Sequence, residues 1–295
     1  MALNLSTLKT RSLTAVIFVV VMLGGLLWGL WSFLILFTII HFGCWKEYQQ
    51  LIGKIDPGYL TITPFHKYGV RIAGWCIVLF FTNNAFNIGD FSLHSIGLWL
   101  GIICAFMLPI GELLFAGNIR LRNIGLSALG LLYISLSWGL MMDLRSASVI
   151  YLDGAAGFGH FDMGPVIPCG LIFSIWINDT MAYIVGSLIG KTPFSKISPK
   201  KTWEGTIGGA ILCVVVISLL GWWLDIYRVR DWIAISAIAA VMGTAGDLLE
   251  SKLKRMANVK DSGTLMPGHG GFLDRFDSLL IAIPFVWLYV TIFMK

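Results

Sequence analysis

Residues 247–278 form the densest group of charged and glycine residues in the sequence, and they lie between two long apolar runs. Asp247 follows the first run directly, whereas Asp274 and Asp277 precede the second. Basic residues and glycines fill the stretch between them. Because charge at the edge of a membrane helix is energetically costly, this group of residues indicates a functional site.

Helical spacing divides these residues into two groups. If the first apolar run continues as a helix, Asp247, Ser251 and Lys254 share one face at positions i, i+4 and i+7. Asp274 and Asp277 are three residues apart and share a face at the start of the next helix. The intervening loop, rich in glycine and proline, is expected to bring the two groups of carboxylates together.

The composition of this segment predicts chemistry on phosphate. Carboxylates that converge repel one another unless a cation lies between them. Oxygen ligands favour a hard divalent ion, and one or two carboxylates commonly hold Mg²⁺ together with substrate phosphates. Basic residues in the same segment suit a polyanionic ligand: Lys254, Arg255, Lys260 and Arg275. We therefore expect phosphoryl or nucleotidyl transfer at a membrane surface, with a lipid as one substrate.

The composition of the whole chain indicates an integral membrane protein. Of its 295 residues, 57% are hydrophobic and 13% are charged, against about 25% charged residues in soluble domains. The polar stretches are too short for a separate soluble domain. The net charge of +5 is typical of cytoplasmic loops and does not indicate nucleic-acid binding. The five cysteines lack CxxC spacing and are expected to be buried and reduced.

Apolar runs of suitable length predict about nine membrane spans, since one span needs about 20 residues. Gly24, Gly25 and Gly29 are expected to break the uncharged run 12–42 into two short helices. The predicted spans are 12–27, 29–46, 70–86, 95–116, 123–143, 166–189, 205–224, 231–250 and 278–294. The expected fold is all-α and polytopic, with about five spans in residues 1–160 and the catalytic region, including 247–278, in residues 161–295.

The distribution of basic residues predicts the orientation of these spans. With nine spans and a cytoplasmic N-terminus, the C-terminus lies outside and all but four of the 21 Lys and Arg residues lie on the inner side. The four exceptions are Arg145, Arg228, Arg230 and Lys295. This bias agrees with the positive-inside rule, and it places residues 251–277 in the cytoplasm.

Other polar residues within or near the spans are further candidates. Asp179 lies inside the sixth predicted span on the same face as Tyr183 and is expected to face the bundle interior or a watery cavity. Glu112 in the fourth span fits a functional or a structural role equally well. The inner loop that contains Lys200 and Lys201 is either ordinary positive-inside charge or a phosphate-binding loop. Residues 186–192 are one residue too short for a P-loop.

The pattern in residues 251–277 closely resembles the defining motif of the phosphatidate cytidylyltransferases, also called CDP-diacylglycerol synthases. Residues 178–183 and 198–205 are also similar to that family, so the resemblance covers about the last 120 residues. One mild departure is Met266, where Leu, Ile or Phe is usual. The matching motif residues are Ser251, Lys254, Arg255, Lys260, Asp261, Gly263, Pro267, His269, Gly270, Gly271, Asp274, Arg275 and Asp277.

The resemblance implies a reaction and a role for each candidate residue. CTP and phosphatidic acid would give CDP-diacylglycerol and pyrophosphate in a Mg²⁺-dependent reaction, within a homodimer in the inner or plasma membrane. Asp247, Asp274 and Asp277 would bind the metal, and His269 would assist the leaving pyrophosphate or support the loop. Phosphate or pocket contacts would come from the remaining candidates: Ser251, Lys254, Arg255, Lys260, Asp179, Lys200, Lys201 and Arg275.

Two other functions remain open on the sequence alone. A related CTP-dependent enzyme with a different lipid acceptor would need the same phosphate chemistry. An ion-coupled transporter with Asp179, Glu112 and Asp247 along its path is a weaker alternative, since such transporters often contain inverted repeats with interrupted helices and none is evident here.

Overall fold

The computed structural model describes residues 5–147, 162–195, 197–264 and 270–294. Helices dominate these residues, and a two-stranded antiparallel ribbon joins β1 (Asn87–Ile88) to β2 (Phe91–Ser92). The helices are α1 (Leu5–Leu27), α2 (Leu30–Ile55), α3 (Pro64–Phe80), α4 (Leu93–Phe115), α5 (Leu121–Gly130), α6 (Ser137–Ala147), α7 (Val166–Ile189), α8 (Trp203–Leu224), α9 (Val229–Met256) and α10 (Leu273–Phe293). A π-helical turn, Leu131–Leu136, connects α5 to α6.

The helix boundaries agree with the sequence pattern at the places that matter for the site. The run 12–42 is divided at Gly29, the residue that precedes α2. Helix α9 continues past its apolar part to Met256, so Asp247, Ser251 and Lys254 do lie on one continuous helix. Helix α10 starts at Leu273, which places Asp274 and Asp277 in its first two turns.

The described part of the chain is that of an all-α, multi-pass membrane protein. Six of its helical segments are long and apolar enough to cross a membrane. Large apolar side chains are exposed along them, including Leu113 and Leu114 of α4 at 70% each, as expected for a surface that faces lipid. The six segments are Leu93–Phe115, Leu121–Ser146, Val166–Ile189, Trp203–Leu224, Val229–Met256 and Leu273–Phe293.

Residues 1–146 and 256–275 form one compact unit. Its core includes a polar contact between α2 and the π-helical turn, in which His41 Nε2 and Trp45 Nε1 lie 3.0 and 2.8 Å from Ser135 Oγ. Glu112 of α4 is also buried, and its Oε2 lies 3.1 Å from His66 Nδ1 at the start of α3. Glu112 therefore has a structural partner within this unit.

Residues 147–255 and 276–295 form the second compact unit. Thr202 caps α8 by accepting a hydrogen bond from Gly205 N at 3.1 Å, as an N-cap hydroxyl is expected to do. Between α9 and α10 the backbones approach closely at Gly246, where a Cβ would lie 2.4 Å from the Asp277 carbonyl oxygen. The missing side chain at this position lets the turn of α9 that carries Asp247 pack against Asp277.

Candidate active site

The carboxylate of Asp274 holds together the two ends of the loop that precedes α10. Its Oδ2 accepts hydrogen bonds from Ser262 N and from Gly271 N, both at 2.8 Å. The same oxygen lies 2.9 Å from Ser262 Oγ, whose one proton is also within reach of Glu47. One carboxylate at a helix start thus receives donors from both sides of the loop. Asp274, predicted as a metal ligand, therefore holds this segment in its observed conformation.

Glu47, in the C-terminal half of α2, is a second carboxylate bound to the same loop, and it was not among the candidates predicted from the sequence. Its Oε1 accepts from Phe272 N at 2.9 Å, and its Oε2 accepts from Leu273 N at 2.9 Å and from Ser262 Oγ at 2.7 Å. Glu47 is only 6% exposed, and buried carboxylates require such partners. The only signal in the sequence was an acidic residue directly after a predicted span.

Two adjacent glycines adapt the loop to these carboxylates. Gly270 has a φ of +81°, a left-handed conformation that residues with a Cβ rarely adopt. At Gly271 a Cβ would lie 2.2 Å from Glu47 Oε2, so only glycine fits beside this carboxylate. These glycines therefore serve the close packing of the loop against α2.

A cavity of about 550 Å³ opens between α2 and the start of this loop. Three lysines line it, with Lys46 and Lys54 coming from α2 and Lys260 from the loop. Asp261 and the buried Glu47 also contribute to its wall. Lysines on two sides of a cavity of this size suit a polyanion such as a nucleoside triphosphate. Lys46 and Lys54 were interpreted from the sequence only as inner-surface charge.

In the second unit, three carboxylates lie close enough to Asp277 to act on it electrostatically. Asp277 is 7% exposed and experiences the charges of Asp247, Glu250 and Asp179. Its Oδ1 accepts a hydrogen bond from Ser278 N at 2.6 Å. Asp247 and Asp277, two of the three predicted metal ligands, therefore lie close to each other, and the fully buried Glu250 joins them.

Two lysines partly offset this negative charge. Lys201 Nζ forms an ion pair with Asp247 Oδ2, and Lys254 Nζ forms one with Glu250 Oε2 across one helical turn. Lys201 thus lies beside the predicted metal ligand, and Lys254 already has a carboxylate partner. The cluster thus combines carboxylate oxygens with two ammonium groups.

The other predicted site residues differ in exposure. Asp179 and Tyr183 are exposed, whereas the neighbouring Asn178 is buried, and Asp179 still contributes to the electrostatics of the carboxylate cluster. Ser251 is half-buried on α9. His269 lies outside the described residues. The remaining candidates are exposed: Lys200, Arg255, Lys260 and Arg275.

The sequence is similar to those of several named proteins. The sequence model of the cytidylyltransferase family matches residues 9–293. A protein of Staphylococcus saprophyticus named phosphatidate cytidylyltransferase is 29% identical over 286 residues, covering 94% of this chain and 96% of its own. A Synechocystis protein of the same name is 30% identical over 96% of this chain and 97% of its own. Phosphatidate cytidylyltransferase 5, chloroplastic, of Arabidopsis thaliana is 31% identical over 91% of this chain and 68% of its own.

Proposed function

The chain belongs to the cytidylyltransferase family, and we propose that it is a phosphatidate cytidylyltransferase that makes CDP-diacylglycerol for phospholipid synthesis. Relatives of that name match almost the whole chain. The observation on the molecule that best supports this function is the cavity beside Lys260, where lysines from α2 and from the loop surround space suited to a triphosphate.

The proposed reaction is a nucleotidyl transfer between two anions. A phosphate oxygen of phosphatidate attacks the α-phosphorus of CTP, a new P–O bond forms, and the bond to the β-phosphate oxygen breaks to release pyrophosphate. The nucleophile is already ionised near neutral pH, so no strong general base is needed. The main obstacle is repulsion between the two substrates, which positive side chains and correct positioning reduce.

We propose that positive side chains of the protein reduce the repulsion between the two substrates. Lys46, Lys54 and Lys260 line the cavity and would bind the phosphates of CTP. Lys201 lies beside Asp247 and would keep further phosphate oxygens near the carboxylate cluster. The sequence-based candidates keep supporting roles as phosphate or pocket contacts: Asp179, Lys200, Ser251, Lys254, Arg255 and Arg275. His269 is proposed to assist the leaving pyrophosphate.

Mg²⁺ is the proposed cofactor, with Asp247, Asp274 and Asp277 as its ligands. No group of three His, Cys, Asp or Glu side chains among the described residues is close enough to form a complete metal site. The donors nevertheless fit Mg²⁺, because this ion is commonly held by one or two carboxylates together with substrate phosphates. When bound, the ion would offset the negative charge on the phosphates.

Glu47 is proposed as a positioning residue. It touches no predicted reacting atom, but it binds Ser262 and the backbone at Phe272 and Leu273. Through these contacts it holds the loop end that carries Lys260 and the residues leading into Asp274. Without Glu47, the same contacts would no longer hold Lys260 at the cavity and Asp274 at the start of α10.

The membrane arrangement proposed for this function has about nine spans, a cytoplasmic N-terminus and a cytoplasmic site. The positive-inside bias supports this orientation, and CTP is available on that side. We also propose a homodimer in the cell membrane, on the basis of the family resemblance.

The test is a transfer assay with the purified full-length protein in detergent. Labelled CTP, phosphatidate and Mg²⁺ are expected to give label in the organic phase, and a chelator is expected to stop the reaction until Mg²⁺ is restored. A parallel reaction with a lipid alcohol in place of phosphatidate identifies the acceptor. Folded protein that labels no phosphatidate would refute the proposed function, and faster labelling of the lipid alcohol would reassign the acceptor.

A further inference from the structure

A second cationic cavity lies in the first unit, next to but distinct from the one that contains Lys260. It has a volume of about 450 Å³ and is formed by the end of α2, the 3₁₀ turn Pro57–Thr61 and the start of α3. Its charged lining residues are Lys46, Lys67 and Arg71, and none of the described acidic residues lines it. Lys46 borders both cavities.

Arg71 is held in a defined position in this cavity by a neutral partner. Its Nε and Nη2 donate to Gln49 Oε1 at 2.8 and 2.6 Å. Gln49 is only 4% exposed, and its Nε2 donates to the Lys67 carbonyl oxygen at 3.0 Å, which fixes the orientation of the amide. The guanidinium also stacks on Tyr68, with 5.3 Å between Cζ and the ring centroid.

Within the part of the chain that the structure describes, the positive charge of this cavity has no carboxylate partner. Among the described residues, no acidic side chain forms an ion pair with Lys46, Lys67 or Arg71. A guanidinium has five N–H donors, of which Arg71 uses two on Gln49. Ordinary positive-inside charge needs only exposed, mobile side chains, whereas this half-buried guanidinium is oriented by a buried amide.

The lining also includes groups that suit the remainder of a phosphate-bearing ligand. Tyr59 is 1% exposed, burial raises the pKa of its phenol, and its hydroxyl lies 2.9 Å from Ser127 Oγ, so it forms an uncharged part of the wall. Leu60 is 68% exposed at the rim. Basic side chains in the lining and an apolar side chain at the rim suit a phosphate that is attached to an apolar chain.

We infer that this cavity binds the phosphate group of an anionic ligand, either an acidic phospholipid headgroup or a soluble phosphate, at a site separate from the proposed CTP cavity. Arg71 would bind the phosphate through its remaining N–H groups, and Lys67 would close the site from the rim. The inference does not depend on the proposed reaction, since it rests on Arg71 and Lys67, which have no role in that reaction and do not line the CTP cavity.

Native mass spectrometry of the full-length protein in detergent tests the site without an activity measurement. Phosphatidylglycerol serves as the acidic lipid, phosphatidylcholine as the zwitterionic control and inorganic phosphate as the soluble anion. We expect one retained phosphatidylglycerol and no retained phosphatidylcholine. Arg71→Gln is expected to weaken this binding about tenfold or more, because a hydrogen bond to a charged group is lost.

Control variants separate the site from general surface charge. Arg122→Gln removes an exposed arginine that pairs with Asp56 and is expected to leave phosphatidylglycerol binding unchanged. Lys67→Gln alters only an exposed rim residue, so it carries the test if Arg71→Gln fails to fold, with several-fold weaker binding expected. Inorganic phosphate that binds equally well and depends on Arg71 would identify a soluble ligand. Unchanged binding in both site variants, or equal retention of phosphatidylcholine, would overturn the inference.

Discussion

Replacing Glu47 by glutamine is expected to lower the rate of cytidylyl transfer more than it lowers stability. The glutamate accepts three hydrogen bonds, one on Oε1 and two on Oε2. An amide has one acceptor oxygen, so its NH₂ group faces at least one backbone donor of Phe272 or Leu273. The loss of one hydrogen bond to a charged group costs about 1.5–3 kcal/mol.

The expected effect on catalysis follows from the position of these donors. Phe272 and Leu273 immediately precede Asp274, and Ser262 lies two residues from Lys260. A displacement of about 1 Å in catalytic groups lowers a rate about a hundredfold. We expect a kcat for Glu47→Gln about ten- to a hundredfold below wild type, with a smaller change in KM for CTP. Glu47→Ala removes all three acceptors and is expected to be worse in both rate and stability.

The assay measures initial rates of label transfer from CTP to extractable lipid, with the thermal unfolding midpoint recorded for the same preparations. Glu112→Gln is the matched control, since Glu112 is also 6% exposed and has its partners, His66 and Thr63, away from the loop. It is expected to lose stability but retain kcat. A wild-type kcat in Glu47→Gln, or an equal loss of kcat in Glu112→Gln, would refute the positioning role.

Three further predictions concern the loop and the carboxylate cluster. Asp274→Asn keeps an acceptor oxygen for its backbone donors, so we expect this variant to fold but to have no transfer activity. Normal turnover by this variant would reject Asp274 as a metal ligand. Gly271→Ala is expected to destabilise the protein by about 1–3 kcal/mol through overpacking, whereas Gly117→Ala, with nothing within 4 Å of its Cβ, should leave the unfolding midpoint nearly unchanged. Lys201→Gln removes the partner of Asp247 and is expected to raise the KM for CTP about tenfold, as loss of one charged contact predicts. The control variant Lys252→Gln should leave this KM unchanged. An equal rise of KM in both variants would indicate an effect of surface charge alone.

The helices of the site were predictable because membrane helices have a strong local signal. Apolar runs and glycine breaks indicated α7 and the division between α1 and α2, and the periodicity around Asp247 depended only on helix geometry. Helix ends were less predictable. Polar residues can extend a helix beyond its apolar part: α9 continues to Met256, whereas the predicted membrane span ended at residue 250.

The contacts of Glu47 could not be predicted in the same way. Its partners lie more than 200 positions away in the sequence, and no local pattern indicates such a pair. For the same reason, Lys46 and Lys54 looked like ordinary inner-surface charge until the fold placed them around a cavity with Lys260. The close approach of Gly271 to the carboxylate of Glu47 was likewise absent from any local pattern.

The sequence alone determined the class of this protein, because membrane insertion and the phosphate motif depend on composition and short-range spacing. It also predicted that Asp247 would approach Asp274 and Asp277, since these residues lie at helix ends that border the same polar segment. Only the tertiary structure decided what surrounds these residues: the carboxylate of Glu47 behind the loop, the lysines of α2 and the oriented Arg71. Burial and hydrogen-bond geometry depend on which distant segments pack together, and that information is absent from local sequence patterns.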